Sequence, residues 1–377
     1  MLQCQRSIRA FLLNSGKILL LPVLLINVFI IVFMLIRIEK SIVHVKNCYK
    51  EAVTNGLSSV NWTSIDGAGP SPLENVLFAE KKPRPGRTIF FLETNCVCAD
   101  PQYNLLALRS RQACTIESAA LHYPDLDVFV LSVCSSYRKP SDPIINTLLS
   151  YTNVHIRRVN LWQFSAETPV ENWIRRENLF DSRYLMNNIS NLLRLLVLYR
   201  YGGLYLDMDM LVLRRFENES INFLGAEPNF SVGNSVIGLK PYGFGRKLAE
   251  LFLLDFQRNY NGNIWAQNGP RSVSRVMSYV CNTNNITVMQ QDLLRCQGIK
   301  IFPVKDFYEI AGHELQYFFD PKFANATMKR LQNSYLTHIW NHQSSMKPLK
   351  VDSEAGYIQL AAQHCPAVLK VTEKWFN

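Results

Sequence analysis

Residues 190–209 constrain the fold more than any other part of this 377-residue chain. The apolar stretch 191–199 predicts a helix, and Gly202-Gly203 predicts its end, because glycine accepts the backbone geometry of a helix C-cap. A short apolar strand then leads to Asp207 and Asp209. Alternation along a strand would direct both carboxylates to one side. A hard divalent cation that bridges to a diphosphate would compensate these two like charges.

The surroundings of the two aspartates strengthen this interpretation. An Asp-x-Asp pair alone is a weak signal, because such pairs are also common on solvated loops. Here apolar residues enclose the pair on both sides, and Gly202-Gly203 precedes it. We therefore do not expect an ordinary exposed turn.

Apolar runs alternate with helical stretches along the rest of the chain after residue 87. Strands at 88–92 and 127–131, with a helical stretch through residue 121 between them, form a βαβ pattern. Further strands are predicted at 153–156, 204–206, 210–213, 235–239, 300–302 and 335–340, and further helices at 244–256, 271–279 and 354–364. The fold class is therefore α/β. Ligands of such folds gather at the carboxyl ends of strands, which makes Glu93 and Thr94 candidates for nucleotide binding.

An uncharged run of nineteen residues, 18–36, lies between Lys17 and Arg37. As a helix it would cross about 28 Å, enough for a thin bilayer. A cleaved signal peptide would have a shorter apolar core and a small-x-small cleavage site. We predict a cytoplasmic tail at 1–17, an uncleaved transmembrane signal-anchor at 18–36 and a stem at 37–87 that is rich in Ser, Asn, Gly and Pro.

The charge distribution argues against a nucleic-acid partner. The net charge of +10 comes from 40 basic and 30 acidic residues, and the first 87 residues hold 11 of the basic and 5 of the acidic ones. The rest of the chain is close to balanced, with no Lys/Arg run, zinc-finger spacing or RNA-binding aromatic cluster.

Glycosylation sequons and cysteines indicate a lumenal body. Eight of the nine cysteines follow the anchor, and an even set suits disulfides; we expect a local bridge between Cys281 and Cys296. Cys96 and Cys98 lack the spacing of a structural zinc site. Asn-x-Ser/Thr sequons begin at six positions after the anchor: Asn61, Asn188, Asn218, Asn229, Asn285 and Asn325.

Several motifs together resemble one known family, the α1,4-glycosyltransferases of glycosyltransferase family 32. The resemblance covers nearly all of the chain after residue 87. It rests on residues 190–209, on Thr115-Ile-Glu-Ser-Ala-Ala120, on Ile264-Trp-Ala-Gln-Asn-Gly-Pro270, on Phe307-Tyr308 and on His338-Ile-Trp-Asn341.

The resemblance implies a GT-A-type fold, with a Rossmann-like mixed sheet flanked by helices. Residues 88–240 would form the nucleotide-sugar-binding region and 241–377 the acceptor-side region. It further implies a type II Golgi membrane protein whose catalytic domain is lumenal. The donor would be UDP-galactose or UDP-N-acetylgalactosamine, held through Mn²⁺, and a homo-oligomer through the anchor or stem is one expectation.

The resemblance also assigns roles to individual residues. Asp207 and Asp209 would bind the metal and the diphosphate, with His338 as third metal ligand or else a satisfied core histidine. Ser190 and Arg194 would contact the donor, although a helix end or Asp127 could instead satisfy the arginine.

Three further residues are candidates for donor binding: Asn191, Asn268 and Gly269. The family often has Asp where this chain has Asn191, a difference that could favour UDP-N-acetylgalactosamine. Asn268 and Gly269 are further donor-binding candidates. They follow Trp265, whose indole could stack on an acceptor sugar or pack in the core.

The implied reaction is transfer of galactose or N-acetylgalactosamine in α1,4 linkage onto a glycosphingolipid, with retention at the anomeric carbon. Arg194 and the metal would stabilise the departing diphosphate, and no nucleophile is assigned. Two alternatives stay open: an α1,4-N-acetylhexosaminyltransferase acting on glycoprotein glycans, and an inactive lumenal scaffold of the same fold. A glycosidase is disfavoured, because its two carboxyl groups must flank the scissile bond.

Overall fold

The computed structural model describes residues 27–34, 69–95, 105–176, 179–216, 222–228 and 231–377. The chain forms two compact units, Met1–Cys48 and Tyr49–Asn377. In the first unit, residues 27–34 form helix α1, whose side chains are exposed. The predicted tail, the rest of the predicted span 18–36 and most of the predicted stem lie outside the described residues. No helix among the described residues is both long enough and apolar enough to span a membrane.

The second unit contains a mixed sheet flanked by helices. Its strands are β1 (Ser71–Pro72), β2 (Thr88–Glu93), β3 (Asp127–Ser132), β4 (Tyr137–Arg138), β5 (Val154–Arg158), β6 (Gly203–Leu206), β7 (Met210–Val212), β8 (Phe223–Glu227), β9 (Ser231–Leu239), β10 (Lys300–Phe302) and β11 (Leu336–His338). Seven of them form one sheet in the order β10-β8-β9-β6-β2-β3-β5. Strands β6, β2, β3 and β5 run parallel, and β9 pairs antiparallel with both β6 and β8. The predicted α/β class is confirmed.

The helices of this unit are α2 (Ser110–His122), α3 (Pro143–Leu149), α4 (Leu161–Ser165), α5 (Glu171–Ile174), α6 (Leu185–Tyr201), α7 (Gly243–Arg258), α8 (Pro270–Cys281), α9 (Ile286–Gln291), α10 (Val304–Phe307), α11 (Gln316–Phe319), α12 (Ala324–Leu331), α13 (Asn341–Ser344), α14 (Gly356–His364) and α15 (Pro366–Val371). The longer helices, α2, α6, α7, α8 and α14, lie where apolar periodicity predicted helices. Helices α3 to α5, α9 to α13 and α15 were not predicted, because one or two turns carry too little periodicity.

Two glycines join α6 to the sheet as predicted. Gly202 has φ +60° and ψ −147°, a backbone conformation that is essentially restricted to glycine. A Cβ on Gly203, whose φ is +87°, would lie 2.3 Å from the carbonyl oxygen of Thr88. The close approach lets β6 enter the sheet beside β2 directly after the helix, so that the two aspartates emerge at the carboxyl edge of the parallel strands.

The two aspartates lie in a turn rather than in a strand. β6 ends at Leu206, and β7 leaves the large sheet to pair antiparallel with β11, with His338 opposite Met210. Strand alternation was therefore the wrong reason to expect Asp207 and Asp209 on one side. The turn between two differently paired strands brings them together instead.

Disulfides fasten the carboxyl-terminal part of the unit. Cys281 and Cys296 are bridged, as predicted. Cys114 on α2 is bridged to Cys365 between α14 and α15, across 251 residues of sequence. Cys134 is disulfide-bonded as well. Cys4, Cys48, Cys96 and Cys98 lie outside the described residues.

Candidate functional site

Asp207, Asp209 and His338 form one cluster at the carboxyl edge of the sheet. Each offers one ligand atom, and the three atoms lie within 4.8 Å of one another. The turn after β6 carries the aspartates, and β11 carries the histidine. The antiparallel pairing of β7 with β11 therefore assembles the cluster from two distant parts of the chain.

The Asp209 carboxylate is held from two directions. Its Oδ1 lies 3.1 Å from Nε2 of His338, and its Oδ2 accepts a hydrogen bond from the backbone N–H of Asn341 at 2.7 Å. Burial opposes the charged forms, but the attraction between the two groups prevails: the pKa of Asp209 is lowered and that of His338 is raised. The contact therefore favours the charged form of each group.

Trp340 holds the backbone that reaches Asp209. Its φ of +55° is in the left-handed region, which is unusual for a bulky residue. The indole Nε1–H donates to the carbonyl oxygen of Ile310 at 2.9 Å, and the ring lies 4.2 Å from that of His338. Strained backbone of this kind persists where surrounding contacts fix it. Here it turns the chain so that the next amide, that of Asn341, points at Asp209.

Arg194 and Tyr205 hold the other aspartate. The buried guanidinium of Arg194 lies 3.2 Å from Oδ1 of Asp207, and the Tyr205 hydroxyl donates to the same oxygen. Arg194 also donates to the Ser190 hydroxyl at 2.9 Å and to the Asn234 carbonyl at 2.8 Å. The carboxylate, hydroxyl and carbonyl satisfy the arginine within the site, so the alternative of a partner at Asp127 is wrong; Asp127 pairs with Lys81 and Arg84.

Asn191 and Gly269 lie beside Asn234, whose carbonyl accepts from Arg194. The Asn234 side-chain amide donates to Oδ1 of Asn191 at 3.0 Å. A Cβ on Gly269 would lie 2.9 Å from each of these two side chains. The glycine therefore lets the loop before α8 approach the helix that carries Ser190, Asn191 and Arg194.

The side chain of Asn268 is used in hydrogen bonds within its own loop and to α6. It is buried, donates to Oδ1 of Asn188 at 3.0 Å and to the Asn261 carbonyl at 2.8 Å, and accepts from the Asn261 N–H at 2.9 Å. The structure thus places it behind the site, where it fastens the loop 259–269 to α6. Asn188, the first residue of a predicted sequon, is buried by the same contacts and also donates to Ser182.

Glu93 lies at the same edge of the sheet but outside the cluster. It ends β2, next to β6, and its carboxylate accepts from the Asn95 N–H at 2.7 Å and from Gln112 at 2.8 Å. Burial raises its pKa despite these bonds. Thr94 follows it directly, and residues 96–104 lie outside the described residues. Glu93 and Thr94 therefore stay candidates for the nucleotide side by position alone.

Glu227 is an acidic group near the cluster that the sequence analysis missed. It ends β8, and Gly233 on the neighbouring strand leaves the space that it occupies, because a Cβ there would lie 2.7 Å from Oε1 of Glu227 and 2.8 Å from the Tyr308 hydroxyl. Burial raises its pKa; Asp207 raises it further, whereas His338 and Arg194 lower it. No motif surrounds Glu227, so the sequence contained no signal for it beyond the end of a short strand.

The ligand set of the cluster fits a divalent cation. Carboxylate oxygens suit hard cations such as Mn²⁺ and Mg²⁺, and an imidazole nitrogen favours a first-row transition metal. The buried Nδ1 of His338 has no hydrogen-bond partner within the part of the chain that the structure describes. The two aspartates and the histidine could therefore hold the metal that the DxD pattern implies.

Comparisons with known proteins agree with this geometry. Residues 109–231 match the glycosyltransferase sugar-binding region containing the DXD motif, and residues 241–372 match the alpha 1,4-glycosyltransferase conserved region. The cluster draws on both regions, since the aspartates lie in the first and His338 in the second.

Curated relatives cover most of the chain. Lactosylceramide 4-alpha-galactosyltransferase of Mus musculus is 30% identical over 75% of this chain and 75% of its own length. The protein of the same name from Homo sapiens is 27% identical over 75% and 76%. Alpha-1,4-N-acetylglucosaminyltransferase of Homo sapiens is 26% identical over 74% and 79%. This chain belongs to the family of α1,4-glycosyltransferases.

Proposed function

We propose that this protein transfers galactose from UDP-galactose, in α1,4 linkage and with retention, onto the terminal sugar of a glycosphingolipid. The observation that carries the proposal is the convergence of Asp207, Asp209 and His338 beside the buried Arg194. The match to the two family regions and the names of the relatives support the donor and acceptor classes.

The metal in this proposal is Mn²⁺, held by Asp207, Asp209 and His338. When bound, it would neutralise charge on the diphosphate of the UDP-sugar. The donor set of two carboxylates and one imidazole supports this choice. The GT-A-type fold belongs to the same proposal and is supported by the mixed sheet with the DxD turn at its carboxyl edge.

Arg194 has two tasks in the proposed reaction. It fixes the Asp207 carboxylate by a contact of 3.2 Å, and its positive charge opposes the charge that develops on the leaving diphosphate. A guanidinium buried among a carboxylate, a hydroxyl and a carbonyl is preorganised, so little reorganisation is needed at the moment of reaction. Ser190 sets the position of Arg194 through its hydroxyl.

The proposed location is the Golgi membrane, with one span at 18–36 and the catalytic unit in the lumen. The uncharged run between Lys17 and Arg37 supports the span. The disulfides support an oxidising compartment. Assembly into homo-oligomers through the anchor or stem is part of the same proposal.

The decisive experiment is a donor and acceptor matrix with the purified full-length chain. UDP release would be measured with Mn²⁺ and each of UDP-galactose, UDP-N-acetylgalactosamine and UDP-N-acetylglucosamine, with lactosylceramide, with a glycoprotein or without acceptor. We expect release that depends on lactosylceramide and is fastest with UDP-galactose.

Other results of this experiment would support a different function. Faster release with a glycoprotein and UDP-N-acetylglucosamine would assign the chain the activity that its human N-acetylglucosaminyltransferase relative is named for. Mn²⁺-dependent UDP binding without turnover of any pair would favour the inactive scaffold.

A further inference from the structure

An exposed tryptophan stands on a firmly held loop beside the cluster. Trp265 is 44% exposed, as is its neighbour Ile264. The loop that carries them is fastened to the segment before α6: the Ser182 hydroxyl donates to the Gly262 carbonyl at 2.9 Å, and the Tyr260 hydroxyl donates to the Leu179 carbonyl at 3.1 Å. Ile264 and Trp265 therefore expose two adjacent large apolar side chains on a loop that hydrogen bonds hold in place.

Two further rings build a platform around this tryptophan, which we call the aromatic platform: Tyr184, Trp265 and His342. The ring centre of Tyr184 lies 5.1 Å from that of Trp265 in an edge-to-face arrangement, and the His342 ring lies 4.8 Å away on a tilted plane. The edge-to-face contact fixes the orientation of the indole. Ala266 follows with φ +62°, a left-handed conformation that turns the chain directly after the indole.

The platform borders the cluster of Asp207, Asp209 and His338 on two sides. His342 directly follows Asn341, whose N–H holds Asp209. On the other side, Gly269 approaches Asn191 and Asn234, and the Asn234 carbonyl accepts from Arg194. A molecule lying on the indole would therefore lie next to the groups that hold the donor in the proposed function.

We propose that the aromatic platform is the acceptor subsite, where the terminal hexose of the acceptor glycan lies with its C–H face on the indole of Trp265. This inference rests on the proposed function. A hexose has an apolar face of ring C–H groups and a rim of hydroxyls, so it fits an exposed indole with polar groups at its edge. His342 provides such a polar edge on the side of Asp209.

The test compares Trp265→Ala, Trp265→Phe and wild type in the full-length protein. We expect Trp265→Ala to raise the KM for lactosylceramide about tenfold, the factor expected from the loss of one aromatic contact. UDP-galactose hydrolysis without acceptor should stay within about twofold of wild type, and Trp265→Phe should recover part of the loss. The matched control is Trp375→Ala, because Trp375 is similarly exposed, at 43%, and lies 110 residues further along the sequence.

Two outcomes would overturn the subsite. One is an unchanged acceptor KM in Trp265→Ala; the other is an equal loss of acceptor-free hydrolysis, which would place Trp265 on the donor side or in the support of the fold. Intrinsic fluorescence titrated with lactose separates this inference from the proposed function. A lactose-dependent change that Trp265→Ala abolishes would support the platform even if the wild type transferred no galactose.

Discussion

The backbone N–H of Asn341 donates a 2.7 Å hydrogen bond to Oδ2 of Asp209, although 132 residues separate the two in the chain. The contact leaves the other carboxylate oxygen facing His338. The orientation of this aspartate is therefore set by backbone, independently of any ligand. A side chain of the same shape without charge would keep the hydrogen bond from Asn341 and lose the negative charge that faces His338 and the proposed metal.

Asp209→Asn tests that separation of shape from charge. We expect transfer to fall about a hundredfold or more, because the variant loses a charged ligand of the proposed metal. The variant should still fold, since the Asn oxygen can accept from Asn341, although the lost ion pair with His338 should lower the unfolding temperature. Transfer assays and Mn²⁺-dependent UDP binding by calorimetry measure the two effects. Asp352→Asn, which removes an exposed aspartate, is the control, and full activity of Asp209→Asn would contradict the metal assignment.

Glu227→Gln tests the carboxylate that the sequence did not reveal. Its charge faces Asp207, His338 and Arg194, so its removal should lower kcat about tenfold while UDP binding is retained. Gly233→Ala should have a similar effect, because the new Cβ would displace the same carboxylate.

Steady-state kinetics of both variants would check this prediction. Glu373→Gln, at an exposed position, controls for a general effect of lost charge. Wild-type kcat in both site variants would show that Glu227 takes no part in the reaction.

His122 and His364 should make stability depend on acidity. Nε2 of His122 lies 3.0 Å from Nδ1 of His364, so one ring must accept a hydrogen bond in its neutral form. Burial lowers the pKa of both, that of His364 to about 4. The unfolded chain then binds more protons than the folded one between about pH 4 and pH 6.5, and stability falls as pH falls through this window.

A variant can remove this slope. His364→Gln keeps a hydrogen-bonding side chain beside His122 without a titrating ring, so the drop in unfolding temperature from pH 7 to pH 4.5 should be smaller than in wild type. Thermal unfolding at both pH values measures it. His313→Gln removes an exposed histidine and should leave the wild-type drop; an equal drop in His364→Gln would be the contrary result.

The predicted sequons should differ in use when the chain is secreted from animal cells. Asn285 and Asn325 are exposed, and Asn285 caps α9 through its oxygen, which a glycan on the nitrogen leaves in place. Asn188 is buried, and its side-chain nitrogen donates to Ser182. Glycopeptide mass spectrometry should find glycans at Asn285 and Asn325 and none at Asn188. A glycan at Asn188 in active protein would contradict the packing of α6. Asn61, Asn218 and Asn229 lie outside the described residues.

Local patterns predicted the parts of the fold that depend on neighbours in sequence. The apolar run of β2 and the glycines after α6 each fixed an element, because their backbone preferences act within a few residues. The pairing of β7 with β11 could not be predicted in this way, since no spacing relates Met210 to His338. The resemblance to a family supplied His338 as a candidate metal ligand, and the pairing of β7 with β11 explains why it lies beside Asp209.

The site shows the same division. Asn268 belongs to a motif that suggested ligand contact, yet its amide is used to fasten a loop, and only three-dimensional contacts distinguish these roles. Trp340 adopts a left-handed backbone conformation that tryptophan disfavours, so residue propensity would not have predicted it at this position. Glu227 has no pattern around it at all. Each of these depends on contacts between segments far apart in the chain.

The pairing of β7 with β11 also imposes an order of events during synthesis. When the ribosome has just added Asp209, the strand that will bring His338 and Asn341 has not yet been made. At about 5 to 20 residues per second, the intervening 132 residues require roughly 7 to 26 s. Throughout that interval the nascent chain has both aspartates but neither His338 nor the Asn341 amide that orients Asp209. Capture of a cation by this cluster is therefore a late event, coupled to completion of the carboxyl-terminal part of the chain.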